Sequence, residues 1–232
     1  LWTQSTAGVP GTDEKGDSFG LTLAAGDVNG DGRSDLIIGM PLEDIGSAAD
    51  AGAITYLAGA PAGPTATGSV SYSQNTAGVP GTAEPGDEFG SSIAVGDVNG
   101  DGRGDTAVGT PSEDIGSIVD GGSVTVLAGS SSGPTATGSV SWDQDSPGIA
   151  GVVETSDEFG YAVYPANITS TGHADLVIGV PFESTGSADF DGALNLIPGS
   201  PRGLIATGSQ YFGEPTDVAP QQPDDVWGAA LA

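Results

Sequence analysis

The chain repeats itself every 70 residues, and that period limits it to architectures in which like units stand side by side. The clearest segment is Gly26-Asp27-Val28-Asn29-Gly30-Asp31-Gly32-Arg33-Ser34-Asp35, which returns as Gly96-Asp97-Val98-Asn99-Gly100-Asp101-Gly102-Arg103-Gly104-Asp105. A third copy is eroded. Its aligned positions are Asn167, Thr169, Thr171 and Asp175, followed by Leu176-Val177-Ile178-Gly179, so the apolar tail is kept where most of the charge is gone.

Oxygen-bearing side chains at alternate positions, with glycines that permit tight reversals, describe a loop able to wrap a hard cation. The start matches an EF-hand loop, but the twelfth position is Ile38, where an EF-hand needs a bidentate Glu. The EF-hand reading therefore fails, and a calcium loop running into a strand takes its place. Expected ligands are Asp27, Asn29, Asp31, Asp35 and the backbone carbonyl of Arg33 in the first loop. In the second they are Asp97, Asn99, Asp101, Asp105 and the carbonyl of Arg103. Two Ca2+ sites are thus expected, and the third loop, Asn167 to Asp175, is expected to be empty. Clustered carboxylates repel one another until a cation binds, so the expected role of the metal is structural.

Each period carries the same further punctuation. A Phe-Gly pair (Phe19-Gly20, Phe89-Gly90, Phe159-Gly160) precedes a run of small and apolar residues, Leu21 to Ala25 and Ser91 to Val95, that reads as a first strand, and Trp227-Gly228 repeats the pair two residues early. The second strand is expected at Asp35 to Gly39 and its copies, and the third at Ala53 to Leu57, Ser123 to Leu127 and Ala193 to Ile197. A Gly/Pro turn then leads to a fourth strand near Gly68 to Gln74. Four short antiparallel strands per period, without helical periodicity, predict an all-β chain of β-propeller blades, an open β-solenoid being the alternative on period alone. The expected division is one segment with repeats 1–70, 71–140 and 141–210 and a partial fourth at 211–232. Leu1 to Gln4 reads as the end of a fourth strand and Val226 to Ala232 as the start of a first, so the ends fall inside expected strands and point to a fragment. A pair of chains closing one ring is the other reading.

These residues resemble the FG-GAP repeat, the calcium-binding propeller blade of integrin α-subunit heads and of many secreted bacterial proteins. The Phe-Gly pairs supply the first element, and Gly39-Met40-Pro41, Gly109-Thr110-Pro111 and Gly179-Val180-Pro181 the second, with the acidic loop between them. The resemblance implies a propeller, typically of seven blades, with calcium loops bracing one face and ligands docking on the other.

Composition narrows the partners. With a net charge of -27 and only Lys15, Arg33, Arg103 and Arg202 as bases, binding to nucleic acid or to an anionic membrane surface is disfavoured. No apolar run approaches the roughly 18 residues that cross a bilayer. Cysteine is absent, so neither disulfides nor thiolate metal sites arise. Weak calcium loops fill reliably near millimolar calcium, which places the expected setting outside the cell.

Several motif matches have plainer explanations. Arg103-Gly104-Asp105 spells an adhesion tripeptide, but its Asp is already needed by the loop. Gly129-Ser130-Ser131-Ser132-Gly133 matches a nucleophile elbow by letter, yet the equivalent turns lack the central serine. His173, the single histidine, reads as a surface residue, and Asn167-Ile168-Thr169 is a glycosylation sequon relevant only to a eukaryotic secreted source. The aromatics Trp2, Tyr72, Trp142 and Phe212 share one strand position, where packing between blades outweighs sugar stacking. No catalytic residue is assigned. The expected function is a secreted, non-catalytic, calcium-stabilised module binding an unknown protein or glycan, by itself, by self-association or with further blades. The alternative is an accessory or partial domain of a secreted hydrolase.

Overall fold

The computed structural model describes residues 1–184, 192–213 and 227–231, and among these there are strands and turns but no helix. Three antiparallel four-stranded sheets follow one another along the chain. The first contains β1 (Thr22–Gly26), β2 (Asp35–Met40), β3 (Ala53–Ala60) and β4 (Gly63–Tyr72) in simple sequence order. The second repeats it with β5 (Ser92–Gly96), β6 (Asp105–Thr110), β7 (Ser123–Ser130) and β8 (Gly133–Trp142). The third has β9 (Ala162–Ala166), β10 (Asp175–Val180), β11 (Ala193–Ile197) and, after the small hairpin β12 (Gly199–Ser200) with β13 (Gly203–Leu204), β14 (Gln210–Gly213). These are β-propeller blades.

Burial explains the order. The second strand of each sheet is buried along nearly its whole length because both of its faces are covered; Ile37, Val108, Leu176 and Ile178 are fully buried, and in the second sheet so are Thr106 and Thr110. The outermost strand is largely half-buried with exposed positions among them, as an edge strand is. First strands stand side by side, β1 against β5 and β5 against β9. Close approach there needs small residues: a Cβ on Gly26 would lie 2.4 Å from Val95 and one on Gly96 2.5 Å from Pro165.

Two large apolar clusters lie between blades, and a third, around Val9, Ile38 and Leu57, lies within the first repeat. Val28, Ile37, Ile54 and Tyr56 of the first blade pack with Val79, Phe89, Val108 and Leu127 of the second. Ala107, Val124 and Val126 of the second pack with Phe159, Ile178 and Ile197 of the third. Tyr72 and Trp142 sit against these clusters, and the Tyr72 hydroxyl donates to the Pro134 carbonyl at 2.5 Å, so this aromatic position serves inter-blade packing. Only Phe212 of the series is substantially exposed, at 43%.

The Phe-Gly pair is the splice between blades. The Phe89 N–H donates to the Ala51 carbonyl and the Phe159 N–H to the Gly121 carbonyl, so each pair is stitched to the preceding blade's loop. Glu88 and Glu158, just before, hold left-handed φ values of 61° and 57°, which turns the Phe side chain inward to full burial. Gly192 forms a bridge with Trp227, and Gly228 O occupies the space where Gly179 would carry a Cβ. Trp227-Gly228 therefore docks on the third blade as the other pairs dock on theirs.

Three expectations shift. First strands run Thr22–Gly26 and Ser92–Gly96, one residue later than the apolar runs suggest, because each pairs through its terminal glycine with Asp35 or Asp105. Fourth strands begin at Gly63 and Gly133, since Ala60 pairs with Gly63 and Ser130 with Gly133 across two-residue loops. In the third blade Pro198 stands where Ala58 and Ala128 stand, and without an N–H it interrupts the hairpin. Leu1 to Gln4 pairs with no strand among the described residues. Gln4 instead donates to Glu43 at 2.6 Å.

Candidate metal centre

The acidic loops join the first strand to the second in each blade, and all three lie at the same end of the array. In the first loop the backbone curls around the Asp27 carboxylate: Oδ1 accepts from Gly30 N (2.8 Å) and Asp31 N (3.0 Å), and Oδ2 from Gly32 N (2.8 Å). Gly30 and Gly32 hold φ of 75° and 85°, which an L side chain rarely adopts. Asn29 Oδ1 accepts from Asp31 N at 2.8 Å and Asp31 Oδ1 from Arg33 N at 2.9 Å. The second loop reproduces each of these bonds through Asp97, Asn99 and Asp101.

Asp35 behaves differently. It is 1% exposed; its Oδ2 accepts from Val28 N and Asn29 N, and its Oδ1 from Gly59 N at 2.7 Å and Asn29 Nδ2 at 3.3 Å. Asp105 makes the equivalent bonds to Val98 N, Asn99 Nδ2 and Gly129 N, and Asp175 to Ile168 N, Thr169 N, Thr169 Oγ1 and Gly199 N. This aspartate pins its loop to the chain at the end of the third strand in the first two blades and just past it, at Gly199 of β12, in the third, whatever the loop's other residues are. Burial raises the Asp105 carboxyl to about 6, with Asp101 and Asp97 adding to it against the Gly129 and Val98 bonds. At Asp175 burial also pushes upward, but the bonds from Thr169, Gly199 and Ile168 outweigh it and hold the carboxyl below its ordinary value.

The donor set of the first two loops suits a hard cation. Asp27 Oδ2, Asn29 Oδ1 and Asp31 Oδ1 each accept one backbone N–H and so each keep a lone pair. The charges opposing the acids are single exposed partners, Arg33 to Asp31 at 3.2 Å and Arg103 to Asp101 at 3.8 Å. Among the described residues no three His, Cys, Asp or Glu side chains are gathered around one point, because Asn replaces an acid at the third loop position and Asp35 and Asp105 face the backbone. In the third loop Asn167, Thr169 and Thr171 leave Asp175 as the one carboxylate.

The loops are chained. Gly104 N donates to the Asp27 carbonyl at 2.7 Å and Ala174 N to the Asp97 carbonyl at 2.8 Å. The Arg103 side chain lies over Gly30, and His173 takes the corresponding place over Gly100. His173 is thus half-buried against the neighbouring loop, with a buried Nδ1, rather than a free surface residue. Asp105 of the tripeptide Arg103-Gly104-Asp105 is 2% exposed, which removes it as an adhesion ligand, and Ser131-Ser132 forms only the β7–β8 hairpin loop.

A second polar array, at the opposite end, has no counterpart in the expectations above. Gln74, just after β4, donates through Nε2 to Glu113 of the next blade, and Gln144 does the same to Glu183 at 2.5 Å. With Gln4 and Glu43 they form three latches, each joining residues 39 apart. The sequence signal was a Gln two residues after the shared aromatic and a Glu two residues after the shared proline, in every period. Burial pushes Glu113 to about 7, opposed by the Gln74 bond and reinforced by Asp87, Glu84 and Asp114. Glu183 is likewise pushed to about 7 by burial, against Gln144, with Asp157 and Glu154 adding to it.

Residues 19–57 and 89–127 match the family model of the FG-GAP repeat, the two periods whose loops are acidic. Similar curated proteins include phosphatidylinositol-glycan-specific phospholipase D of Rattus norvegicus, 31% identical over 189 residues, covering 81% of this chain and 20% of the relative. Integrin alpha-PS5 of Drosophila melanogaster is 32% identical over 173 residues, 73% of this chain and 15% of that one. Integrin alpha-IIb of Homo sapiens is 36% identical over 167 residues, 69% of this chain and 14% of that one. The chain thus spans a fifth or less of the length of these relatives. With the propeller blades and the Phe-Gly splices in place, these matches identify residues 19–57 and 89–127 as two FG-GAP repeats.

Proposed function

We propose that residues 1–232 form one calcium-stabilised, extracellular β-propeller segment, with repeats 1–70, 71–140 and 141–210 and a partial fourth at 211–232, whose loops bind a protein or glycan partner without catalysis. The observation that carries this reading is the pair of acidic loops, each keeping three side-chain oxygens with a spare lone pair on an identical backbone frame. In each, Asp27, Asn29, Asp31 and the Arg33 carbonyl, or Asp97, Asn99, Asp101 and the Arg103 carbonyl, would hold the ion. Asp35 and Asp105 would join only by releasing the amide of Asn29 or Asn99. A bound ion neutralises loop acids that otherwise repel and locks the chained loops of adjacent blades together. Similarity to integrin alpha chains supports a ligand-binding role, and the net charge of -27 disfavours nucleic acid. No helix among the described residues is long and apolar enough to cross a membrane.

Calorimetric titration with Ca2+ tests this: two ions per chain are expected, falling to one when Asp27 and Asp31 are both changed to Asn. Binding of no calcium, or undiminished binding by that variant, would overturn the reading. A second reading, an accessory segment of a secreted hydrolase, is favoured by the match to a protein named as a phospholipase D over only 20% of its length. An open reading frame that adds a domain with a nucleophile would support it, and one that adds only further blades would not.

A further inference from the structure

The two junctions between blades follow one plan, and at one position the second leaves a hole that the first fills. In the first junction Tyr56 of β3 lies across the interface, with its ring against Gly133: a Cβ on that glycine would come within 2.6 Å of the ring. Its hydroxyl accepts from Asn29 Nδ2 at 3.2 Å. One period later Val126 stands in place of Tyr56, and the glycine equivalent to Gly133 is Gly203, where a Cβ would meet nothing within 4 Å. The space the ring fills in one junction is a cavity of about 410 Å³ in the other. Its walls include Val98, Asn99, Val126, Val140, Gly203 and Leu204.

We infer that this cavity is a binding site for a phenol, a hydroxyl-bearing six-membered aromatic ring, occupied as Tyr56 occupies its own junction. The volume lies in the range of small-ligand pockets, which run from about 300 to 1,000 Å³. The lining is aliphatic at Val98, Val126, Val140 and Leu204 and charged at Asp101, Asp105 and Arg202, and the polar group that meets the Tyr56 hydroxyl has its counterpart: Asn99 Nδ2 gives one N–H to Asp105 and retains the other for a ligand oxygen. Val140, 42% exposed, marks the mouth. The inference concerns the blade junction and does not rest on cations filling the loops.

Titration of the protein with p-cresol, followed by NMR, tests it. Saturable binding is expected, with intermolecular contacts to the methyl groups of Val126, Val140 and Leu204. Toluene, which lacks the hydroxyl, should bind about fivefold or more weakly. Val126→Tyr should fill the site from within, weakening p-cresol by about tenfold or more. The first junction shows that this fold accepts that residue. A short capped Gly-Tyr-Gly peptide separates the sources: binding as tight as p-cresol assigns the site to a tyrosine side chain, and binding of p-cresol alone assigns it to a free phenol. Absence of saturable p-cresol binding, contacts on other methyls, or equal affinity for toluene would overturn the inference. The methyl contacts in the unaltered protein decide the matter even if Val126→Tyr fails to fold.

Discussion

The first and third loops share a frame and differ in what hangs from it. Asp35 and Asp175 are both almost completely buried, both take their own loop's amides on one oxygen and the next strand's amide on the other, and both pin the loop to the sheet. Around Asp175 the remaining acids have gone, and a threonine hydroxyl supplies one of the bonds. The loop keeps its shape without them, so Asp27, Asn29 and Asp31 are not required for folding the turn. Their retention in two loops points to another duty, which the proposed cation binding would supply.

The largest test of that comparison is Asp175→Ala. It removes the acceptor of the buried Gly199 N–H, of the part-buried Ile168 and Thr169 N–H groups and of the Thr169 hydroxyl, and is expected to cost about 3–5 kcal/mol in chemical denaturation, with no dependence on calcium. Asp35→Ala should cost as much in chelator. If its cost grows markedly in calcium, Asp35 is also a ligand and the two loops differ more than their shared frame suggests.

Calcium itself should be next in size. At about a hundredfold excess over Kd, each filled site adds about 2.7 kcal/mol, visible as a rise in Tm over chelator. Asp27→Asn with Asp31→Asn should remove the share of one loop, whereas Thr169→Ala should leave the calcium response unchanged. A loss of response in the threonine variant would break the contrast.

At the other end of the blades, Glu113 and Glu183 have carboxyls raised to about 7 in the fold against an ordinary value of 4.5. The folded state therefore holds more protons than the unfolded one between these values. Their stabilising contribution is complete below pH 4.5 and is lost as pH rises through about 7. Glu113→Gln should flatten that slope by about 1–2 kcal/mol across the window, measured by denaturation at fixed calcium. The smallest effect expected is that of Arg33→Ala, whose exposed ion pair with Asp31 is worth less than about 1 kcal/mol.

Much of this was legible in the sequence because the period aligns every element three times. The strands around Leu36-Ile37-Ile38 and its copies follow from apolar runs closed by Gly and Pro, and the loops from alternating oxygens. What escaped was of three kinds. The direction in which Asp35 points depends on Gly59, 24 residues away, and no local pattern reports it. The Gln–Glu latches join different blades, so their signal lies in matched offsets rather than in any motif. The half-burial of His173 depends on a glycine in the preceding loop that leaves room for it. Contacts across blades are set by the packing of whole units, whereas contacts within a hairpin are set by neighbours in the chain.

The Phe-Gly splice bears on how such a chain can change. Phe89 is tied to the loop of the blade before it, and its own blade is tied to the next through Phe159. A blade cut out along its sheet boundaries would carry half of each joint. The unit that duplication or deletion can move without damage is the offset segment of 70 residues that contains one whole joint, which is the period the sequence displays.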